Sequence, residues 1–492
     1  MNLKKTKYTN TGIIWMTLTA VILFIVVSYY FYGYYKLGDD TYIYLQYAKH
    51  ILNDGEMAFN KGIESFGFTS PLWLILIVGF SYITGSLVSA PEMLTLLFSA
   101  FTVVVWAYIL RSMEIKKKII FFLFLMVIVL DPNLSKHSHL GMEASLSYFL
   151  SSLIILVLLV LNGKKQFAAL GFILALYNLV RPESILIGIV LFVYFFFSKE
   201  HSKRDLIYLF LPAIILLPWY IFAYTSFNQF LPNTFYAKGA SYPLGTRIWK
   251  NLTDSLKIFA GNYFAALGFI FFYLFTYLKF DKNRKSMWAL PFGVIIISFI
   301  MFYSLVINNE FVYARYYCIV FPFLSFLFIE IVMKCVSNKI IPAGIVSAVS
   351  LLLIIWFSLI GSRIYTTTEI TENKIIEWVN NNTSPNTKIE RGRIGKIAFY
   401  TDRYIVDPMG IIDPEIINYH KTHSIADYYY KIKPDIFTDA DPHFLEYKGY
   451  VNKIELLKEI TTNSRIMIRQ YFSGVGRADT IKIYKVTWTG QN

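Results

Sequence analysis

The chain has 492 residues, of which 56% are hydrophobic, 18% aromatic and only 16% charged, and its mean hydropathy is +0.49. Soluble domains have about a quarter charged residues, so this composition excludes an ordinary soluble protein and favours a membrane protein. The formal net charge of +14 does not indicate nucleic-acid binding, because Lys and Arg form short clusters at the ends of apolar segments rather than a stripe interleaved with aromatic residues.

Eleven apolar segments predict transmembrane helices in chain order. The first follows Lys4, Lys5 and Lys7, and it is too long for the core of a signal peptide, so we expect it to remain as an anchor. Several of the others are shorter than ~20 residues, but aromatic ends extend them. The predicted spans are residues 11–33, 92–110, 118–131, 143–161, 166–180, 184–198, 205–224, 254–278, 287–307, 315–333 and 339–360.

The basic clusters between these spans predict the orientation. If the N-terminus is cytoplasmic, every cluster falls in a cytoplasmic connection, as the positive-inside rule expects. This assignment of the loops to the two sides of the membrane requires that the apolar stretch 71–86 makes no net crossing. We therefore predict that it is re-entrant or juxtamembrane. The alternative is that 71–86 is an ordinary span and that one short segment elsewhere does not cross. The clusters are Arg111 with 116–118, Lys164 with Lys165, Lys199 with Lys203 and Arg204, 279–285, and 334–339.

The character of the sequence changes after Ile360, where charged and polar residues become frequent and no further span occurs. About 130 residues are enough for one small α/β domain. Alternation predicts strands at 396–400 and 480–486, and the pattern of 370–379 predicts a helix. The expected organisation is therefore a polytopic all-α membrane domain, residues 1–360, followed by a soluble α/β domain, residues 361–492, on the outer side of the membrane.

The first outer loop, residues 34–70, carries two adjacent carboxylates, Asp39 and Asp40, just after the first helix. Both cannot ionise cheaply in a low-dielectric cleft, so one has a raised pKa or both hold a cation. Either state suits a general base or a site assisted by a divalent cation such as Mg²⁺ or Mn²⁺. The alternative is a solvated helix cap, because Asp is favoured where helices begin.

Further charged residues fall on the same predicted side of the membrane. Arg181 offers a planar fork for phosphate oxygens, and Glu183 could orient it or bind sugar hydroxyls; the alternative is a structural ion pair between two helix ends. Glu143 lies at the start of a long apolar helix, where the helix dipole stabilises a carboxylate, and this is the structural alternative for it. Lys238 and Arg315 are single cations beside membrane helices, for which interaction with lipid headgroups is the alternative.

The histidines and cysteines give little evidence for a metal centre. His137 and His139 lie close to Glu143 in sequence, but a His-X-His pair in a short loop is weak evidence for zinc without a third ligand. Cys318 and Cys335 lie at opposite ends of one apolar segment, so a disulfide is not expected. The metal requirement therefore stays open, with Asp39 and Asp40 as the candidate ligands.

The order and spacing of several motifs resemble those of bacterial GT-C glycosyltransferases, and in particular the mycobacterial terminal arabinofuranosyltransferases and their relatives. The resemblance covers nearly the whole chain. The motifs are Leu37-Gly38-Asp39-Asp40-Thr41-Tyr42-Ile43, Tyr47-Ala48, Phe59-Asn60, Gly67-Phe68-Thr69-Ser70-Pro71-Leu72-Trp73, Gly141-Met142-Glu143, Arg181-Pro182-Glu183, Pro232-Asn233-Thr234-Phe235-Tyr236-Ala237-Lys238, Arg315-Tyr316 leading to Pro322, Tyr400-Thr401-Asp402-Arg403 and Asp407-Pro408-Met409-Gly410-Ile411-Ile412-Asp413-Pro414.

This resemblance implies a GT-C-like enzyme in the bacterial cytoplasmic membrane that takes a sugar from a polyprenyl-phosphate donor on the outer face. The acceptor implied is a cell-envelope glycan, a lipid or a protein. An acidic residue of the first loop would be the base or a metal ligand, which maps onto Asp39 or Asp40, with Glu143 as a further catalytic candidate. One departure is Gln46, where relatives often carry Arg. The residues expected to bind the donor phosphate or substrate are Arg181, Glu183, Lys238, Arg315, Asn233 and Tyr236.

Two other classes of function fit a polytopic membrane protein. A non-catalytic transporter or polymerase of lipid-linked glycans is the main alternative, but transporters tend to have repeats and charged residues in the middle of broken helices. This sequence has no evident repeat, and its polar groups gather at one membrane face. A receptor or anchor for the C-terminal domain would not need carboxylates in the first loop.

Overall fold

The structure is a computed structural model, and it is mostly helical with a small C-terminal sheet domain. The helices form a bundle whose apolar faces are buried against one another, and the sheet domain follows the bundle in sequence. The residues that the structure describes are 10–33, 37–113, 115, 118–198, 202–237, 245, 248–258, 288–305, 314–337, 367–422, 424–461 and 480–490.

The first half of the bundle consists of nine helices and one short hairpin in the described part. The apolar runs of the sequence supply most of these helices. In chain order they are α1 (Asn10–Tyr32), α2 (Asp39–Asp54), β1 (Ala58–Asn60), β2 (Ile63–Glu64), α3 (Pro71–Thr84), α4 (Ser89–Ser112), α5 (Lys118–Val129), α6 (Pro132–His137), α7 (Ala144–Val160), α8 (Gly163–Asn178) and α9 (Ile185–Phe197), with a 3₁₀ turn at Pro182–Ser184.

The second half of the bundle contains shorter helices and two further 3₁₀ segments. Prolines at the start of α10 and α11 divide the long segment 203–227 into three pieces, because a proline ring does not fit the interior of a helix. These elements are a 3₁₀ helix (Lys203–Phe210), α10 (Leu211–Ile215), α11 (Leu217–Phe227), α12 (Asn233–Ala237), α13 (Ala289–Leu305), a 3₁₀ helix (Ala314–Ile319) and α14 (Phe321–Ser337).

Three described segments are long and apolar enough to cross a membrane: Thr11–Tyr30, Ser89–Ser112 and Lys203–Phe227. The other apolar helices are shorter, with 10–17 residues. Helices lie at every predicted span except 254–278 and 339–360, most or all of which lie outside the described residues. The count of eleven crossings stays a prediction, as does the prediction that 71–86 makes no net crossing; that stretch contains α3.

Helix α7 lies in the centre of the bundle, where it packs against α4, α8 and the 3₁₀ helix Ala314–Ile319. Its small serines allow this close approach and also bind neighbouring elements. The Nε1–H of Trp106 donates to Ser152 Oγ at 3.1 Å, and Ser151 Oγ donates to the carbonyl oxygen of Ile319 at 2.7 Å. The first bond joins the middle of α7 to α4, and the second joins it to the 3₁₀ helix that carries Arg315.

The sheet domain has five strands in the order β4-β3-β5-β7-β6. Strand β3 is parallel to β4 and β5, whereas β7 is antiparallel to β5 and β6. Helices cover this sheet. The strands are β3 (Lys388–Glu390), β4 (Tyr404–Val406), β5 (Ile436–Phe437), β6 (Val451–Thr461) and β7 (Thr480–Trp488); the helices are α15 (Thr367–Asn382), α16 (Ile394–Thr401), α17 (Glu415–Lys421) and α18 (Ile425–Ile432), with a 3₁₀ helix at Pro442–Lys448.

Two of the three secondary-structure predictions for this domain are confirmed. Residues 370–379 lie in α15, and 480–486 lie in β7. The strand predicted at 396–400 is wrong, because those residues belong to α16. The buried residues of α16 include Ile394, Ile397 and Ala398, whose spacing of three and four is that of one helix face. A window of five residues was too short to separate this period from alternation.

Candidate functional site

Five of the predicted charged residues meet where the starts of α2 and α7 approach the end of α8: Asp40, Glu143, Arg181, Glu183 and Arg315. Gly141 brings these segments together. It has a φ of +69°, and a Cβ at this position would lie 2.4 Å from Leu37 Cδ2. Thr41 Oγ1 donates to the carbonyl oxygen of Leu140 at 2.8 Å. The glycine is therefore needed for both its backbone conformation and its lack of a side chain.

Glu143 and Arg181 form a buried ion pair, which we call the inner pair. Arg181 Nη2 lies 2.9 Å from Glu143 Oε1, and the two side chains are only 9% and 2% exposed. Arg181 Nη1 also lies 3.4 Å from Glu183 Oε1. The hydroxyl of Tyr303 donates to the same Glu183 oxygen at 2.9 Å. Arg181 therefore ties the start of α7 to the turn before α9.

Asp40 and Arg315 form a second, more accessible pair, which we call the outer pair. Arg315 Nη1 lies 2.5 Å from Asp40 Oδ2, and the side chains are 24% and 42% exposed. The inner and outer pairs are neighbours, because the guanidinium groups of Arg181 and Arg315 lie 5.3 and 5.4 Å from the ring centre of Tyr316. A single tyrosine ring thus contacts both cations.

Asp39 has different partners from Asp40, although the two residues are adjacent. Its carboxylate accepts the backbone N–H groups of Gly395 at 3.2 Å and Lys396 at 2.9 Å. These are in the first turn of α16, and the N-cap residue Arg393 makes no side-chain capping bond of its own. Asp39, although distant in sequence, therefore supplies the capping carboxylate for a helix of the sheet domain.

The contact between Asp39 and α16 is close. A Cβ at Gly395 would lie 2.0 Å from the carbonyl oxygen of Asp39, so only glycine allows this approach. Burial is the main cause that raises the pKa of Asp39, and the N–H group of Lys396 partly opposes it. In this arrangement Asp39 anchors the sheet domain, and Asp40 is the carboxylate of the two that faces the cations.

Helix α6 adds residues that the sequence reasoning did not assign to a substrate site. It packs against the 3₁₀ helix that carries Arg315. Burial is the main cause that lowers the pKa of His137 to about 3, so this imidazole is neutral. The nearby cations reinforce that shift; they are Lys136, Arg315 and Arg181. The signal for Lys136 was a lysine in a connection predicted to lie on the outer side, whereas Tyr303 had no comparable signal.

The motif around Asn233 lies apart from the two ion pairs. Asn233 is buried at the start of α12, and its backbone N–H donates to the carbonyl oxygen of Phe66 at 2.8 Å. Tyr236 is in the same helix and is 44% exposed. Lys238 lies outside the described residues. The donor-binding roles predicted for Asn233, Tyr236 and Lys238 stay predictions.

Neither aspartate lies in a metal-ligand cluster in the described part of the chain. No group of three or more His, Cys, Asp or Glu side chains there could hold a metal ion. The carboxylate of Asp39 is occupied by two backbone N–H groups and that of Asp40 by Arg315. This donor set does not fit a shared divalent cation, so we derive no chemical step through a metal.

The C-terminal part of the chain matches one family model. Residues 362–484 match a family described as a domain of unknown function, DUF8728. This match covers less than half of the chain and so describes the sheet domain region alone. No curated protein matches the sequence.

Solved structures are similar over nearly the whole chain. ArnT from Cupriavidus metallidurans bound to undecaprenyl phosphate has a TM-score of 0.60 at 13% identity, covering 97% of this chain and 98% of that chain. The Archaeoglobus fulgidus oligosaccharyltransferase, in complex with Zn and sulfate, has a TM-score of 0.55 at 13% identity, covering 86% and 67%. Arabinofuranosyltransferase AftD from Mycobacteria has a TM-score of 0.50 at 10% identity, covering 98% and 42%.

All three neighbours are GT-C glycosyltransferases. At this level of identity the similarity shows the fold, so the chain has the GT-C fold of multi-pass membrane glycosyltransferases. The fold expected from the sequence motifs is confirmed.

Proposed function

We propose that this chain is an integral-membrane glycosyltransferase that moves a sugar from a polyprenyl-phosphate donor to an acceptor hydroxyl on the outer face of the bacterial cytoplasmic membrane. The observation that carries the proposal is the accessible Asp40–Arg315 pair beside a buried arginine, Arg181, within the GT-C fold. The structure of ArnT contains undecaprenyl phosphate, a lipid of the donor class proposed for this chain.

Asp40 is the proposed general base. Its side chain is 42% exposed, whereas that of Glu143 is 2% exposed and that of Asp39 caps α16. Asp40 accepts the proton of the acceptor hydroxyl while the hydroxyl oxygen bonds to the anomeric carbon of the donor. The bond between that carbon and the phosphate oxygen breaks, and the polyprenyl phosphate leaves with the electron pair. A single displacement of this kind inverts the anomeric configuration.

Arg315 is the proposed primary contact for the donor phosphate. Its planar guanidinium suits two phosphate oxygens, and fixed positive charge stabilises the negative charge that develops on the leaving group. In the structure Arg315 is bound to Asp40, so a donor phosphate competes with this carboxylate for the same cation. Binding of the donor phosphate therefore releases Asp40 from Arg315. Arg181 adds positive charge from its buried position and stays paired with Glu143.

The test is mass spectrometry of cell-envelope glycans and lipid-linked sugars. Cells without the protein should lack one envelope sugar and accumulate its lipid-linked form, and wild-type protein should restore the pattern. Asp40→Asn should fail to restore it. The matched control is Asp54→Asn, the same change in the same helix at a residue that pairs with Lys61 at 2.6 Å, and it should restore it fully.

Two results would reject the proposal. Full restoration of the envelope sugar by Asp40→Asn would remove the base and favour a transporter, which needs no base. A reporter tag inserted between residues 34 and 70 that faces the cytosol would place Asp40 on the wrong side of the membrane.

A further inference from the structure

A cavity lies between the bundle and the sheet domain, and none of the ion-pair residues lines it. It has a volume of about 310 Å³, and its walls come from the β1–β2 hairpin, the end of α11, the start of α12 and the turn before α17. A volume of this order is at the lower end of the roughly 300–1,000 Å³ of small-molecule pockets. The cavity can therefore accept a compact ligand.

Asn233 is the feature of this cavity that points to a ligand. The residue lines the cavity and is 1% exposed. Neither its Oδ1 nor its Nδ2 has a hydrogen-bond partner among the residues that the structure describes, and the same holds for Oε1 of Gln229, which also lines the cavity. A buried amide without partners loses the hydrogen bonds that it makes to water in the unfolded chain, so such groups need a bound partner to offset the loss.

The sheet domain contributes the opposite wall through a rigid turn. The carboxylate of Asp407 accepts the backbone N–H groups of Met409 at 2.8 Å and Ile412 at 3.0 Å. This turn presents Asp413 to the cavity, and the hydroxyl of Tyr428 donates to Asp413 at 2.7 Å and holds it in place. The motif at 407–414 therefore builds a wall of the cavity rather than part of the ion-pair site.

The charged groups that line the cavity differ from those of the ion-pair site, which holds Arg181 and Arg315 as well as carboxylates. Among the described residues, its lining includes three carboxylates, Glu64, Asp413 and Glu415, and no Lys or Arg. A phosphate group would be repelled here, whereas Arg181 and Arg315 favour one at the other site. Carboxylates and amides beside aromatic rings, here those of Phe66 and Phe227, suit an uncharged ligand rich in hydroxyl groups.

The cavity and the inner pair are joined by the segment 65–70. Phe66 lines the cavity, and Ser70 Oγ lies 3.4 Å from the carbonyl oxygen of Leu179, two residues before Arg181. Four residues of chain span at most about 14 Å, at about 3.6 Å each. Phe66 and Ser70 are therefore no more than about 14 Å apart, a distance that a short oligosaccharide can span.

We propose that this cavity binds a neutral sugar unit of the acceptor glycan, with Asn233 as its central hydrogen-bonding group. This inference rests on the proposed glycosyltransferase function and names its acceptor as a glycan. It assigns Asn233 to the acceptor rather than to the donor phosphate, and it gives the sheet domain a direct part in acceptor selection.

The experiment measures the binding of two ligands to the same full-length protein in nanodiscs. The first ligand is the neutral oligosaccharide fraction released from the envelope of the producing cell, and saturation-transfer NMR detects its binding. The second ligand is undecaprenyl phosphate. Asn233→Leu should weaken oligosaccharide binding at least tenfold. It should leave undecaprenyl phosphate binding unchanged, and its thermal stability should not fall because it removes unpaired polar atoms from a buried position.

The matched control is Gln166→Leu, another buried amide, whose Nε2 donates to the carbonyl oxygens of Leu158 and Leu161 away from the cavity. It should lower thermal stability and leave oligosaccharide binding unchanged. Equal oligosaccharide binding by wild type and Asn233→Leu, or no binding by wild type, would overturn this inference. Either result leaves the base test at Asp40 intact, so the two proposals fail separately.

Discussion

The inner and the outer ion pair lie at the same end of the bundle but differ in exposure. The inner side chains, Glu143 and Arg181, are 2% and 9% exposed, whereas the outer ones, Asp40 and Arg315, are 42% and 24% exposed. Breaking a buried pair leaves an uncompensated charge, while an exposed pair can exchange partners at small cost. This difference in exposure supports our proposal that the inner pair maintains the structure and that the outer pair takes part in the chemistry.

The largest expected effect tests the outer pair. We expect Asp40→Asn to lower the rate of sugar transfer by about 10²–10⁴-fold, the usual contribution of a general base. Undecaprenyl phosphate should bind at least as tightly as to wild type, because the charged carboxylate of Asp40 no longer competes with the phosphate for Arg315. Steady-state transfer assays and lipid-binding titrations on the purified protein measure both quantities. A transfer rate close to that of wild type would contradict the assignment.

The inner pair should be more important for stability. We expect Arg181→Ala to lower the free energy of unfolding by about 3–5 kcal/mol, because it leaves Glu143 buried without its cation. Arg315→Ala, the matched change in the outer pair, should cost less, because the side chains of Arg315 and Asp40 are only partly buried. Unfolding in detergent followed by tryptophan fluorescence compares the two. Equal losses in the free energy of unfolding would show that the difference in exposure does not make the inner pair more important for stability than the outer pair.

Glu390 is a buried acidic residue of the sheet domain whose contribution to stability depends on pH. Glu390 accepts backbone N–H groups from Asp439 and Ala440, each at 3.2 Å. Burial is the main cause that raises the pKa of Glu390 from 4.5 to about 7. The folded state therefore binds the proton more tightly, so this contribution to stability is full below pH 4.5 and is lost as the pH rises to about 7. It amounts to roughly 3 kcal/mol at 1.36 kcal/mol per pKa unit.

The measurement for Glu390 is hydrogen exchange of β3 and β7 amides between pH 4.5 and 7.5, corrected for the intrinsic rate. Wild-type protection should fall as the pH rises, and Glu390→Gln should remove most of that dependence. A pH dependence that persists in Glu390→Gln would assign it to another group.

The smallest expected effect concerns Asp39, the neighbour of the proposed base. We expect Asp39→Ala to cost about 0.5–2 kcal/mol, as the loss of an N-cap does, because Gly395 and Lys396 lose their acceptor. Hydrogen exchange of the first turn of α16 should become faster while the transfer rate changes far less than in Asp40→Asn. A loss of transfer as large as that of Asp40→Asn would show that both carboxylates act in catalysis.

Local sequence patterns predicted much of the fold. Apolar runs gave the positions of α1, α3, α4, α5 and α7 to α9, because each run is long enough to mark a helix by itself, whereas α2 and α6 lie in stretches read as connections and were not predicted. The short alternation at 396–400 failed, because five residues do not distinguish a strand from the buried face of α16. Motif order predicted the GT-C fold, and the structural neighbours confirm it.

The sequence by itself determined which residues are charged and near which helix ends they lie. It could not decide which of two adjacent carboxylates faces a cation, because Asp39 and Asp40 have the same chemistry and the same local pattern. Tertiary structure decided this by bringing α16 onto Asp39 and Arg315 onto Asp40. Burial and partners depend on segments distant in the chain, and no local period encodes those contacts.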